Sequence, residues 1–236
     1  MRLNASAGGT RAAVALASVG LLALAPAWAA RPFVTDDADI IAPEACELEL
    51  VHATQHQRAA PDERNSSAQL ACGIGLNTEF GASGARATRG DEHWPVVALV
   101  GKTGLRRVAD GELGLAVAYS LLGEKLPGAA FKQTRAAAAL VATETQGRVL
   151  FHGNLGFVRD RIARNTTTLW ALAVERIGER FDFGGELFGE STRSAWLGAG
   201  GRYAVLPNRL SVDTSYAMRG NSTRARRATL GMVLAF

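Results

Sequence analysis

The sequence predicts an all-β chain, a closed antiparallel transmembrane β-barrel of about 12 strands. Three observations lead there. The last eleven residues alternate strictly: Phe236, Leu234, Met232, Leu230 and Ala228 share one face, and Ala235, Val233, Gly231, Thr229 and Arg227 share the other. A period of two is the mark of a strand. The same alternation recurs upstream in short runs separated by turn residues. Finally, the chain opens on an export leader, and no later stretch is long and apolar enough for a spanning helix. A chain that enters lipid without such a helix must close its backbone hydrogen bonds in a barrel. The alternative for the terminal run is a buried strand of a soluble sandwich, since alternation alone does not say which face is inside. The leader, the sorting of loops and the terminal aromatic favour the barrel.

Residues 1–30 read as a secretory signal peptide. Arg2 and Arg11 give a positive start, residues 12–24 a short apolar run, Pro26 a break, and Ala27, Trp28 and Ala29 a small-x-small cleavage site. Its removal takes two arginines away, so the formal net charge of +4 falls to +2. That modest excess, with no basic run interleaved with aromatics, argues against a nucleic-acid partner. Residues 31–43 are expected to form a periplasmic N-terminal segment, with plugging of the barrel by residues 31–42 left open, and residues 44–236 the barrel.

The strands follow in order from Cys46, then 68–75, 78–82, 95–106, 112–121, 131–143, 148–158, 166–177, 181–190, 194–205, 209–218 and 226–236. Each approaches the roughly 9–11 residues that cross a bilayer at a tilt. The run at 131–143 is the weakest, because Ala136, Ala137, Ala138 and Ala139 have low β-propensity and suit a helix. Connections alternate between tight (77, 178–180, 206–208) and longer, polar ones (54–67, 87–94, 122–130, 159–165, 219–225). That is the outer-membrane pattern of short periplasmic turns and longer external loops. An even strand count returns both ends to the periplasmic side.

Each strand has one large apolar face and one small or polar face. Leu113, Leu115, Val117, Tyr119 and Leu121 oppose Gly114, Ala116, Ala118 and Ser120; Val149, Phe151, Leu155 and Phe157 oppose His152 and Asn154. The large face is assigned to lipid and the small face to the lumen. The lumen candidates are then Glu47, Glu49, Glu79, Lys102, Arg106, His152, Glu175, Glu186, Arg202 and Asp213, with Arg227 beside them. Such a set either steers a solute or plugs a narrow barrel with internal salt bridges. The many lumenal Gly, Ala and Ser residues leave room. Trp94, Trp196, Phe181, Phe183, Tyr203 and Phe236 fall near strand ends, as an interfacial aromatic girdle would.

Cys46 and Cys72 make an even count in an oxidising compartment, which points to one disulfide; two unpaired core thiols are the alternative. Residues Gly101, Lys102 and Thr103 lack the full phosphate-loop pattern and lie inside a strand. His152 with Ser211, Ser215 and a carboxylate would supply the residue types of a hydrolase, but spacing alone cannot bring them together. No metal and no cofactor is expected. The expected external loops are rich in arginine (Arg58, Arg64, Arg86, Arg89, Arg159, Arg161, Arg164, Arg193, Arg219 and Arg224). They suit either lipopolysaccharide phosphates or a solvated rim.

Arg31, Pro32, Phe33, Val34, Thr35, Asp36, Asp37 and Ala38 directly follow the leader. Together with residues 44–49, Cys72, residues 101–104 and residues 152–157 they carry a resemblance. The chain resembles a proteobacterial family of small outer-membrane β-barrels described as transporter-like, or as outer-membrane proteins of phenol degradation by the meta pathway. The resemblance covers essentially the whole mature chain. It implies passage of aromatic or other apolar nutrients. Phe236 resembles the terminal signal that the barrel-assembly machinery reads. The expectation is a Gram-negative outer-membrane channel for a small solute, not an enzyme. The rivals are a structural or adhesion barrel with a plugged lumen and a lipid-modifying enzyme.

Overall fold

The computed structural model describes residues 33–58, 60–220 and 224–236. The expected leader and the first two residues after it lie outside these. Twelve strands follow one another: β1 (Cys46–His56), β2 (Glu63–Gly75), β3 (Thr78–Arg89), β4 (Glu92–Arg106), β5 (Leu113–Glu124) and β6 (Lys132–Gln146). Then come β7 (Val149–Asp160), β8 (Asn165–Arg176), β9 (Phe181–Glu190), β10 (Trp196–Leu206), β11 (Leu210–Arg219) and β12 (Arg226–Ala235). Each pairs antiparallel with its neighbours in sequence, and β1 closes on β12 from Glu47↔Ala235 to His56↔Arg226. No strand edge is left unpaired, which is what lipid demands of a sheet. The end of the barrel holding Cys46 and Ala235 is termed the lower rim, the opposite end the upper rim.

The wall sorts its side chains as the alternation predicts. Leu50, Leu70, Phe80, Leu99, Leu121, Phe151, Leu155, Phe157, Leu172, Leu187, Leu197 and Leu230 project outward and are exposed. A continuous belt of this kind on a closed barrel is stable only against hydrocarbon. The inward residues are small or polar: Ala116, Ala118, Ala139, Ala171, Ala173, Thr143 and Glu175 are all buried. The alanine run of β6 is fully extended. Ladders to β5 and β7 on both sides override its weak propensity.

The loops are less cleanly sorted than expected. β2, β3 and β4 continue past the belt, so the connection expected at 87–94 shrinks to residues 90–91. The extended ladder is held there by a Glu63–Arg89 ion pair of 3.0 Å between directly opposed residues. At the lower rim the connection 107–112 is instead a longer one. It folds back on β6, where Gly111 N–H donates to Thr145 O at 2.7 Å.

The aromatic girdle also divides. Phe181, Phe183, Tyr203 and Phe236 are exposed near the lower rim, with Phe181 and Phe183 stacked at 6.1 Å. Trp94 and Trp196 are not part of it. They point inward and are 5% and 0% exposed. Trp196 stacks on Phe188 at 5.9 Å, and the Arg219 guanidinium lies 4.5 Å from the Trp196 ring centre.

At the seam, Cys46 and Cys72 are directly opposed and disulfide-bonded. Cys46 also exchanges both backbone hydrogen bonds with Phe236, at 2.8 and 3.0 Å. The last residue of the chain is thereby tied to the first strand.

Candidate functional site

The barrel interior holds chain that belongs to no strand. The described part of the expected N-terminal segment lies inside the lower rim, where residues 33–43 cross the lumen as a strap. Its root lies beside β2, where Pro43 bridges Gly73 and Glu44 N–H donates to Gly73 O at 3.3 Å. Glycine is required here, since a Cβ on residue 73 would collide with the carbonyl oxygens of Ile41 and Ala42.

From that root the strap passes from wall strand to wall strand, held by side chains that accept from its backbone. Ile41 N–H donates to Glu79 Oε2 of β3 at 2.8 Å, and Ala38 N–H to Thr143 Oγ1 of β6 at 2.9 Å. Asn154 of β7 meets Asp36 twice: its Oδ1 accepts from Asp36 N–H at 3.1 Å, and its Nδ2 donates to Asp36 O at 3.3 Å. Glu186 Oε2 of β9 accepts from Val34 N–H at 2.8 Å, Thr35 N–H at 3.1 Å and Thr35 Oγ1–H at 3.0 Å. A strap without a sheet partner satisfies its amides this way or leaves them buried and unpaired.

The strap's own side chains complete the fit. Ala38 packs on Ala116, Ala118 and Val141, with Ile40 and Val108 alongside. The small residues of β5 are small because the strap lies over them. Val34 packs against the Phe188, Trp196 and Ala171 cluster above. Lys102 Nζ of β4 sits at the centre of the charges, 3.4 Å from Asp36 Oδ1, 3.6 Å from Asp37 Oδ1, 3.7 Å from Glu79 Oε1 and 3.2 Å from Asp37 O. Burial pushes the Asp36 carboxyl up to about 7; Asp37 and Glu79 push the same way, and Lys102 opposes them.

Nine of the ten expected lumen residues face the interior. Glu79, Lys102 and Glu186 hold the strap. His152 is buried with Nδ1 3.0 Å from Thr143 Oγ1 and Nε2 3.5 Å from Glu175 Oε2. Its neighbours are therefore Thr143 and Glu175, while Ser211 and Ser215 lie on β11, four strands away. The hydrolase grouping is not assembled around it. In the lower half Glu47, Glu49 and Arg202 line a cavity of about 440 Å³ between strap and wall, and Asp213 lies directly opposite Arg202 on β11. Arg106 departs from the set. A register shift between Gly104 and Arg106 reverses its side, and it pairs with Glu112 at 3.0 Å on the exposed rim. Of the arginines expected on loops, Arg89 turns inward to Glu63 and Arg219 to Trp196.

Sequence reasoning missed the wall residues that grip the strap, Thr143 and Asn154. Their lumen parity was readable; the strap amides they serve lie more than a hundred residues away in sequence.

No protein-family model matches the sequence, and no curated protein matches it. Among solved structures the chain is similar to a KdgM porin in complex with disordered oligogalacturonate, at a TM-score of 0.61 and 9% identity, covering 80% of this chain and 99% of that one. It is also similar to the NanC porin, at 0.53 and 12%, covering 78% and 98%. A third similar fold is outer-membrane phospholipase A from Escherichia coli in an active-site mutant form, at 0.50 and 13%, covering 87% and 93%. At these identities the likeness is one of fold: a closed twelve-stranded barrel of the outer-membrane type.

Proposed function

We propose that this chain is a channel of the Gram-negative outer membrane that passes a small solute, and that residues 33–43 shut it in the state described here. One observation carries the reading. What fills the lower lumen is a strap rooted beside β2 and held along its length by side-chain hydrogen bonds, not the wall itself. A barrel filled for rigidity alone would be expected to interlock wall side chains. A detachable segment over a bore of small residues leaves a passage when it moves. The fold shared with the KdgM and NanC porins supports this reading. Aromatic or other apolar nutrients remain the solutes that the family resemblance implies.

With the strap displaced, the lower lumen is lined by Glu49, Glu79, Lys102 and Arg202, with the stacked, inward-facing Phe188 and Trp196 above them. Passage is diffusion down a gradient, with lumen charge setting preference.

The test is single-channel conductance in planar bilayers, for the natural chain and for a variant that keeps the leader but lacks residues 31–42. Heat-modifiable gel mobility verifies that both are folded barrels. The expected result is small, intermittent conductance for the natural chain and a several-fold larger, steady one for the variant. A folded variant that stays non-conducting would hand the assignment to the structural-barrel alternative.

A further inference from the structure

The lower cavity contains polar groups that neither wall nor strap satisfies. Lys102 and its carboxylates settle one side of it. On the other side Glu49 is 7% exposed, lines the cavity and has no hydrogen-bond or ion-pair partner among the described residues. Arg202, three strands along the wall from Glu49 and directly opposed to Asp213, has Nε and Nη2 buried without a hydrogen-bond partner, and Gln69 has Oε1 in the same condition. Glu47 lines the cavity beside them. Buried polar atoms are nearly always paired, and each unpaired one costs free energy. Several grouped around one hollow mark it as a polar site for water or a polar solute.

We propose that this cavity binds a small amino-acid zwitterion in transit, a more polar solute than those the family resemblance implies. The carboxylates of Glu47 and Glu49 and the Gln69 carbonyl form an acceptor pole suited to an ammonium group. The Arg202 guanidinium supplies a planar donor pair suited to a carboxylate. A simple cation leaves Arg202 unanswered, and a simple anion meets Glu47 and Glu49. A molecule carrying both charges on one carbon answers both poles. About 440 Å³ is ample for a small amino acid and within the ordinary size of ligand cavities. The inference rests on the channel reading for the solute's route, while the binding site itself is testable without conduction.

The probes are L-alanine, ethylamine and propionate, which share a skeleton and differ in which charges they carry. Binding is read by ligand-observed saturation-transfer NMR on the detergent-solubilised, full-length mature protein. Passage is read by flux into liposomes containing the variant without residues 31–42. Alanine is expected to bind about tenfold more tightly than either relative, from one extra charge-assisted contact. Arg202→Gln should erase its advantage over ethylamine, and Glu49→Gln should shrink its advantage over propionate. Arg106→Gln, on the outer rim, should change neither. Equal binding of all three probes, or none by a heat-modifiable, folded protein, would overturn the proposal. Selective binding without flux would support the site and defeat the channel reading; flux without selectivity would do the reverse.

Discussion

The upper and lower halves of the lumen are built on different plans. In the upper half the wall seals itself. Glu63 pairs with Arg89, Arg135 bridges Glu124 at 3.3 Å and Asp160 at 3.5 Å, and Trp94 packs with Val96, Ala87 and the loop residue Leu126. In the lower half the wall is lined with small residues, and its polar side chains reach for a segment from outside the sheet. Charges that find partners within the wall stiffen it. Charges that find partners on a tethered strap can exchange them for something else.

The contrast can be broken at four points. Lys102→Met should act most strongly, because it removes the cation set among the largely buried carboxylates of Asp36, Asp37 and Glu79. Removing one member of such a cluster costs about 3–5 kcal/mol. The strap should leave, read as rapid labelling of an Ala38→Cys reporter, a position only 2% exposed, with a thiol reagent and as a rise in conductance. Arg135→Met should cost about 3 kcal/mol by the same reasoning, but in the wall. Unfolding should shift to lower temperature while the reporter stays protected. A reporter that labels equally in both variants would show that the two halves are one unit.

Glu186→Gln comes third. It weakens the acceptor shared by Val34 N–H, Thr35 N–H and Thr35 Oγ1–H, and loss of charge from such bonds is worth about 1–2 kcal/mol. Labelling should quicken about tenfold without full release. Thr143→Val is the smallest change, removing the acceptor for Ala38 N–H and the contact to His152. At about 1 kcal/mol it should leave conductance near that of the natural chain and speed labelling only a few-fold.

The difference between the halves also governs what could be read from the sequence. The wall was legible because lipid on one side and a crowded bore on the other impose a period of two. That parity placed Glu49, His152, Glu186 and Asp213 inward, each from its own strand. It failed at Arg106, where one bulge residue reverses the count. It also misjudged Trp94 and Trp196: position near a strand end suggested the membrane interface, whereas both residues occupy lumen parity. The strap could not be traced. Residues 33–43 carry no periodicity, and their contacts span up to 152 residues of sequence. The small residues opposite Ala38 were visible as spare volume, but nothing local said what filled it.

The wall has no gap and the strap is rooted at its lower rim, beside the junction of Cys46, Cys72 and Phe236. If the strap moves as proposed, it moves as a trapdoor with a fixed hinge. It would have no way sideways into lipid and would swing out only at the lower rim. A protease confined to that compartment would clip the strap whenever the door stood open. The same protease on the opposite face would meet only loops, so the side of cleavage reports the orientation of every barrel in the membrane.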